Sequence, residues 1–150
     1  DIPALKQSFW AQEGKGAHLG SRQIHVSKNA DPKKALLTMG MPIDRSGKRF
    51  EASFETFKDL KKQSRGVRPL GSAAIELCYV AAGFFDAFWH FDLETWDIAA
   101  GKIILEEAGG SVTNMDGSTL TPKRKSLLAT NTLLHSPMLE VLKKHGADQL

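Results

Sequence analysis

The stretch from Thr95 to Gly110 reads Thr-Trp-Asp-Ile-Ala-Ala-Gly-Lys-Ile-Ile-Leu-Glu-Glu-Ala-Gly-Gly and predicts one helix with a defined start and stop. Thr95 suits the N-cap position, and Gly109-Gly110 ends the helix because glycine tolerates the backbone angles of a helix C-terminus. Lys102 and Glu106 are spaced to pair on the outer face. The residues predicted to point inward are Ile98, Ala99, Ile103 and Ile104.

Helices and strands alternate on both sides of this segment. Apolar periodicity predicts a helix through Phe50, Phe54, Phe57 and Leu60. The almost entirely apolar run 73–82, with Ser72 as N-cap and Gly83 as its stop, predicts a buried helix. Ser136-Pro137 begins a last helix and Gly146 ends it. Short apolar or alternating runs predict strands at 35–38, 84–91, 111–114 and 126–129. This alternation is typical of a layered α/β domain.

The first thirty residues have a different pattern. Phe9-Trp10-Ala11 and the segment 22–27 predict strands, and Glu13-Gly14-Lys15-Gly16 predicts a turn between them. Two or three strands are not stable by themselves. We therefore predict that residues 1–30 are the last strands of a sheet domain that lies mostly upstream, and that residues 31–150 form a C-terminal α/β domain.

Composition excludes several classes of protein. The 150 residues are 41% hydrophobic and 25% charged, and no apolar run is long enough to suggest a membrane span. The single cysteine, Cys78, cannot form an internal disulfide, so we expect a cytoplasmic location. The net charge is +3, but the basic residues are scattered, which favours solvated surface and makes nucleic-acid binding an unlikely function. The clusters are Lys33-Lys34, Lys61-Lys62, Lys123-Arg124-Lys125 and Lys143-Lys144.

Asp97 is the first candidate for chemistry. It lies in the opening turn of the predicted helix, where an acid is favoured by the helix dipole whether or not it has a further role. Its neighbours in sequence are apolar, and a carboxylate in such surroundings needs a partner, for which a bound cation is a common choice. Asp97 is therefore predicted either to cap the helix or to bind a metal ion.

Gly71-Ser72-Ala73-Ala74 is the second candidate. Small residues that open a helix allow an anion or a hydroxyl to approach free backbone N–H groups, although simple capping explains the same residues. Asp116-Gly117 instead predicts a hairpin turn. The five histidines lack the spacing of metal ligands, and Cys78 lies within an apolar helix, so neither zinc nor thiol chemistry is expected.

Several of these segments together resemble the C-terminal signature of the inositol monophosphatase family, in the same order and with the same gaps. The Trp-Asp-x-Ala-Ala-Gly to Glu-Ala-Gly-Gly segment is highly specific, and the resemblance covers essentially the whole chain. The matching segments are Glu13 to Ala17, Ile24 to Ser27, Arg68 to Ala74, Cys78 to Gly83, Asp86 to Phe88, Trp96 to Gly101 and Glu107 to Gly110.

The resemblance implies a fold and a reaction. Members are layered α-β-α sandwiches, and the present chain would be the C-terminal half of that fold, with a mixed sheet flanked by helices. They hydrolyse phosphate monoesters with Mg²⁺ and an activated water. The position of Asp97 ligates the metal and touches a substrate hydroxyl, and the positions of Gly71, Ser72 and Ala73 contact the substrate through their backbone.

Two departures from the family pattern bear on function. Members carry their other metal ligands, a Glu-Glu pair and an Asp-Pro-x-Asp-Gly-Thr motif, in the N-terminal half, so we expect this chain to be inactive alone. Inositol-selective members also have a glutamate seven residues before the aspartate, where this chain has His90. His90 is predicted to bind substrate, but its charge and reach differ from those of a glutamate.

The resulting prediction is a Mg²⁺-dependent phosphatase of inositol phosphate metabolism that acts on inositol 1-phosphate or a related polyol or sugar phosphate. Sister activities on the same fold are the alternatives, with 3′-phosphoadenosine phosphate, fructose 1,6-bisphosphate or histidinol phosphate as substrate. A binding role in an RNA-associated complex is a further alternative. The resemblance also implies a homodimer, and we expect a small-molecule substrate without membrane association.

Overall fold

The computed structural model describes residues 1–121 and 126–149, so the basic cluster Lys123-Arg124-Lys125 lies outside the described residues. The strands are β1 (Phe9–Ala11), β2 (Ala17–Leu19), β3 (Arg22–Ile24), β4 (Leu36–Gly40), β5 (Gly66–Val67), β6 (Ala87–His90), β7 (Ser111–Thr113) and β8 (Leu127–Thr130). The α-helices are α1 (Gly47–Gln63), α2 (Ala73–Ala81), α3 (Thr95–Glu107) and α4 (His135–Lys144). Short 3₁₀ helices span Pro3–Leu5, Pro32–Lys34 and Ala147–Gln149.

The first three strands form an antiparallel sheet in the order β1-β2-β3. Phe9 lies opposite Leu19, and Ala17 lies opposite Ile24. Strand β2 has only three residues, Ala-His-Leu, which is too short to show the alternation by which a strand is recognised in sequence. The tight glycine turns on either side of β2, rather than a hydrophobic pattern within it, set its two ends.

The second sheet has five strands in the order β5-β4-β6-β8-β7. Strand β4 pairs in parallel with both β5 and β6, and β8 pairs antiparallel with both β6 and β7. The helices α1 and α2 connect the parallel strands, as parallel pairing requires. The sheet is therefore mixed and flanked by helices, which confirms the predicted fold class.

Alternating side chains of this sheet divide the core into two layers. Phe88 and Ala129 face α2 and α3, whereas Ala87, Trp89 and Leu128 face α1 and α4. Because successive side chains of a strand point to opposite faces, one short strand serves both cores. Helices α2 and α3 also pack against the first sheet, so they lie between the two sheets.

The buried face of α3 differs from the predicted one. Ile98 and Ile104 point inward as expected, but Ala99 and Ile103 are exposed. The inward stripe instead runs through Gly101, where a Cβ atom would lie 2.6 Å from Leu77 Cδ1. Glycine at this position lets α2 and α3 approach closely, and this contact sets the rotation of the helix.

Two helix assignments are also corrected by the structure. The N-cap of α3 is Glu94 and not Thr95. In α1 the rings of Phe50, Phe54 and Phe57 stack along one side, with Phe54 44% exposed. The face of α1 that meets the sheet consists of smaller side chains, namely Ala52, Ser53, Thr56 and Leu60.

Asp116-Gly117 forms the predicted turn. Asn114 and Ser118 are joined by a backbone hydrogen bond of 3.0 Å, and Gly117 has a φ of +86°. The Ser118 amide also donates to the Asp116 carboxylate. In the described part of the chain, no helix combines the length and the apolar character needed to cross a bilayer.

Candidate active site

One pocket, of about 440 Å³, contains all five site residues proposed from the sequence in its lining: Gly71, Ser72, Ala73, His90 and Asp97. The pocket lies where β4 and β6 end and where α2 and α3 begin. Ligands of open α/β sheets commonly bind at the carboxyl ends of the parallel strands. The N-termini of both helices add positive electrostatic potential on the same side.

Asp97 has a structural role in α3. Its Oδ2 accepts a hydrogen bond of 2.9 Å from the backbone N–H of Glu94, which fixes the carboxylate at the first turn of the helix. Asp97 remains half-buried and lines the pocket. A carboxylate held in this way can present an oxygen to a cation or a hydroxyl, so the two interpretations of Asp97 are compatible.

His90 is oriented by its neighbours on two sides. It lies opposite Gly40 in the sheet, and a Cβ atom on Gly40 would lie 1.8 Å from His90 Cδ2, so the ring occupies the space that a side chain would fill. The Asp92 backbone N–H donates to His90 Nδ1 at 3.1 Å. Because Nδ1 accepts, the neutral ring carries its proton on Nε2.

Burial lowers the pKa of His90, and the nearby carboxylates of Asp92 and Asp97 only partly oppose this effect. At neutral pH the ring is therefore uncharged. His90 thus gives the pocket a neutral hydrogen-bond donor, whereas a glutamate at this position would give it a charged acceptor.

The segment Gly71 to Ala73 forms the turn into α2. Gly71 adopts a φ of +80°, which residues with a side chain rarely adopt. Ser72 is the N-cap, but its side chain makes no capping hydrogen bond. The first N–H groups of a helix have no acceptor within the helix, so this turn can direct backbone donors into the pocket.

Sequence reasoning missed Glu76, which lines the same pocket and is 1% exposed. Its Oε1 accepts from Thr38 Oγ1 at 2.6 Å and from the Leu70 backbone N–H at 2.9 Å. Burial raises the pKa of Glu76, and the hydrogen bonds from Thr38, Leu70 and Gly71 oppose the shift. The available signal was that Glu76 is the one acid in the otherwise apolar helix 73–82.

Asp92 was also missed. It forms a 2.8 Å ion pair with Arg49 on α1, at the rim of the pocket. The two residues are far apart in sequence, and no local pattern indicates their contact. Met41 and Ile43, from the loop between β4 and α1, complete the rim and are exposed.

The chain's Glu-Glu pair, Glu106-Glu107, lies at the other end of α3, about 15 Å along the helix axis from Asp97. Glu107 accepts hydrogen bonds of 2.8 Å from the backbone N–H groups of Gly14 and Gly16. Glu106 pairs with Lys102, as predicted. These acids stabilise the fold and do not contribute to the pocket.

Within residues 1–121 and 126–149, no group of three or more histidine, cysteine or acidic residues is arranged to bind a metal ion. Cys78 is a free, partly buried thiol, and burial raises its pKa to about 11. A thiol with that pKa is almost entirely protonated at neutral pH and therefore a poor nucleophile.

Comparison with known proteins identifies the class to which this fold and pocket belong. The model of the inositol monophosphatase family matches residues 1–147. The chain therefore belongs to the inositol monophosphatase family, which confirms the resemblance seen in the sequence.

Individual relatives agree with this assignment. The chain is 41% identical to the chloroplastic phosphatase IMPL1 of Arabidopsis thaliana, over 89% of this chain and 36% of that protein. It is 36% identical to Nus factor SuhB of Pseudomonas aeruginosa, over 95% of this chain and 53% of that protein. The solved structure of inositol monophosphatase from Anabaena (Nostoc) sp. PCC 7120 superposes with a TM-score of 0.89 at 36% identity, covering 95% of this chain and 56% of that one. The chain thus spans about half the length of relatives that it matches.

Proposed function

We propose that the protein containing this chain hydrolyses a phosphate monoester with the help of Mg²⁺, and that this chain supplies the substrate-binding side of the active site. The observation that carries the proposal is the convergence of Gly71–Ala73, His90 and Asp97 on one pocket at the ends of β4 and β6. These residues are up to 26 positions apart in sequence, and the packing of β4, β6, α2 and α3 brings them to one place where they can act on the same ligand.

The residues present fit Mg²⁺ in part. Magnesium prefers oxygen ligands and often takes only one or two carboxylates from the protein, with water and substrate phosphate completing its coordination. Asp97 offers such a carboxylate on the pocket wall. The ion would polarise the phosphate ester and make a bound water more acidic.

The chain's other groups would bind and orient the substrate. The turn at Gly71–Ala73 directs backbone N–H groups and the positive end of α2 toward an anionic or hydroxyl-bearing ligand. His90, which lines the same pocket, adds a donor from Nε2. Together these contacts would hold the alcohol portion of the ester beside the metal.

The test is phosphate release by the full-length natural protein, with and without Mg²⁺, in the wild type and in Asp97→Asn. Asparagine can still accept the Glu94 N–H, so the fold should persist while turnover falls by about 100-fold or more and the Mg²⁺ requirement rises. Asp31→Asn is the matched control, since Asp31 also accepts a local N–H but lies outside the pocket.

Unchanged turnover in Asp97→Asn would contradict the role of this residue. If the wild type released no phosphate from any ester with Mg²⁺ present, the enzyme proposal itself would fail. A melting-temperature comparison separates either result from simple unfolding.

For the substrate, we propose inositol 1-phosphate or a related polyol or sugar phosphate, supported by the family and by the size of the pocket. 3′-Phosphoadenosine phosphate, fructose 1,6-bisphosphate and histidinol phosphate are the alternatives to assay in parallel. Their kcat/KM values, measured under one set of conditions, rank the candidates.

A second candidate is RNA binding. The relative from Pseudomonas aeruginosa is named a Nus factor, and in this chain Lys33 and Lys62 line one surface depression of about 500 Å³. Binding to phosphates should weaken steeply with salt. A gel shift with single-stranded RNA should be lost in Lys33→Glu/Lys62→Glu and kept in the charge-matched Lys48→Glu/Lys143→Glu; no shift at low salt rejects this candidate.

The assembly is also a proposal. We propose that the β1-β2-β3 sheet is continued by strands of an N-terminal domain, with a boundary near residue 30, and that the protein is a cytoplasmic homodimer. Sedimentation of the full-length protein tests the dimer, and limited proteolysis near residue 30 tests the boundary.

A further inference from the structure

We infer that Glu76 is a positioning residue that holds the Leu70–Ala73 turn in the shape needed to bind substrate. This inference rests on the proposed function, because the turn is the segment assigned to substrate contact. In this role Glu76 contacts neither the reacting phosphate nor a metal ion. It acts through the backbone of the turn.

The contacts of Glu76 identify this role. One oxygen, Oε1, accepts hydrogen bonds from Thr38 in β4 and from the N–H of Leu70, the residue that precedes Gly71. The Gly71 N–H also donates to the same carboxyl. Glu76 therefore ties the loop that leads into α2 to β4, an interior strand of the sheet.

The location of Glu76 is costly for an acid. It is 1% exposed, and Thr38 is fully buried. A carboxyl group removed from water destabilises a fold unless hydrogen bonds compensate, and an apolar side chain would fill the same space without that cost. An apolar residue could not, however, accept the two N–H groups of the turn.

Gly71 explains why the turn needs this support. Its φ of +80° is a conformation from which a flexible glycine readily departs. The Ser72 side chain makes no capping hydrogen bond that would fix the helix start. With Glu76 in place, the free N–H groups at the start of α2 have one defined direction before substrate arrives, which reduces the entropy lost on binding.

The test compares Glu76→Leu with Glu76→Gln in the full-length natural protein. Leucine removes both carboxylate oxygens and therefore every acceptor of the turn's N–H groups. KM should then rise about tenfold while kcat changes little, as expected when a binding contact is lost equally from ground and transition states. Glutamine keeps an acceptor oxygen and should restore KM to within about twofold of the wild type. Thr56→Val is the matched control, because the Thr56 hydroxyl is buried without a hydrogen-bond partner and lies outside the pocket.

Amide hydrogen exchange supplies a readout that needs no activity. In Glu76→Leu the amides of Leu70 and Gly71 should exchange at least about tenfold faster, while those of α4 stay protected. Should Glu76→Leu fail to fold, Thr38→Val removes one anchor of the carboxyl and should give a smaller change in the same direction.

Unchanged KM and unchanged exchange in Glu76→Leu would overturn the inference, and so would a Glu76→Gln variant as impaired as the leucine variant. If the wild-type protein hydrolysed no ester, the proposed function would fail, and the exchange data would still decide whether Glu76 anchors the turn.

Discussion

His90 sets the hydrogen-bonding character of one part of the pocket. Gly40 makes room for the ring, and the Asp92 N–H fixes the proton on Nε2. A neutral donor at this position attracts acceptor groups of a ligand, whereas a carboxylate attracts hydroxyl donors and repels anions. A neutral histidine therefore gives this part of the pocket a hydrogen-bond polarity opposite to that of a glutamate.

Replacing His90 with glutamate tests this effect. We expect His90→Glu to lower KM for inositol 1-phosphate by about tenfold, because a charged acceptor gains hydrogen bonds from ring hydroxyls. His90→Gln is the control, since it offers a donor and an acceptor without charge. An unchanged ratio of KM values among polyol substrates would show that His90 does not determine selectivity.

At the scale of a single element, α3 is held by a carboxylate at each end. Asp97 accepts the Glu94 N–H at the N-terminus and faces the pocket. Glu107 accepts the Gly14 and Gly16 N–H groups at the C-terminus and so binds the turn of the first sheet. Gly14 and Gly16 of that turn and Glu107 of the Glu-Ala-Gly-Gly segment thus form one structural contact.

Glu107→Gln should lower the melting temperature more than Glu106→Gln does. Glutamine replaces one acceptor oxygen with an NH₂ group that faces a glycine N–H, whereas the Glu106 side chain forms an ion pair with Lys102 at the surface. Hydrogen bonds from Gly14 and Gly16 lower the pKa of Glu107. Glu107 therefore contributes its full stabilising free energy above pH 4.5, the ordinary pKa of a glutamate, and loses it as the pH falls through the lowered pKa. Equal melting temperatures for the two variants would contradict this.

At the scale of the whole molecule, Asp86 connects the two sheets. It is 7% exposed, its Oδ1 accepts from Ser27 Oγ after β3, and its Oδ2 accepts from the Leu36 N–H at 2.7 Å. Asn131 donates to Ser27 Oγ at 2.8 Å and completes the junction. Residues far apart in sequence are thus joined where the first sheet leads into the second.

Asp86→Ala should destabilise the protein by about 2–4 kcal/mol, because partly buried donors of Ser27 and Leu36 lose their acceptor. Denaturant unfolding measures this change, and hydrogen exchange should show that β1 to β3 lose protection first. Asp31→Asn, at an exposed local turn, is the control. A change below about 0.5 kcal/mol would contradict the role of Asp86.

The pH dependence of stability involves two partly buried imidazoles. Burial lowers the pKa of His135, which bridges Thr113 and Thr130 through its two ring nitrogens, and it also lowers the pKa of His90. Folding favours the neutral form of both side chains. Their contribution to the free energy of unfolding is therefore full above pH 6.5, the ordinary pKa of histidine, and is lost as the pH falls below that value.

The free energy of unfolding should therefore decrease between pH 7 and pH 5, by at most about 1.4 kcal/mol per pH unit for each proton. His135→Gln should reduce that slope. A slope that persists in the double variant His90→Gln/His135→Gln would assign the effect to other groups.

Much of the fold and of the site could be predicted because the signals are local. The apolar run of α2, the helix stops at Gly83 and Gly146 and the Asp116-Gly117 turn depend on neighbouring residues alone. The site residues were recognised by motif, and the structure places them in one pocket. The burial of α1 and α3 was predicted less well, since small residues such as Ala52 and Gly101 allow close packing but carry little hydrophobic signal.

By itself the sequence determined the family and the layered α/β class. It also determined Asp97, His90 and Gly71–Ala73 as candidate site residues. These conclusions could be drawn because helix periodicity and turn chemistry act over a few residues. Only the tertiary structure decided the buried contact of Glu76 with Thr38 and the Asp92–Arg49 pair. Each depends on the distance between residues that are not neighbours in the same helix or strand. Such distances exist only once the sheets and helices have packed.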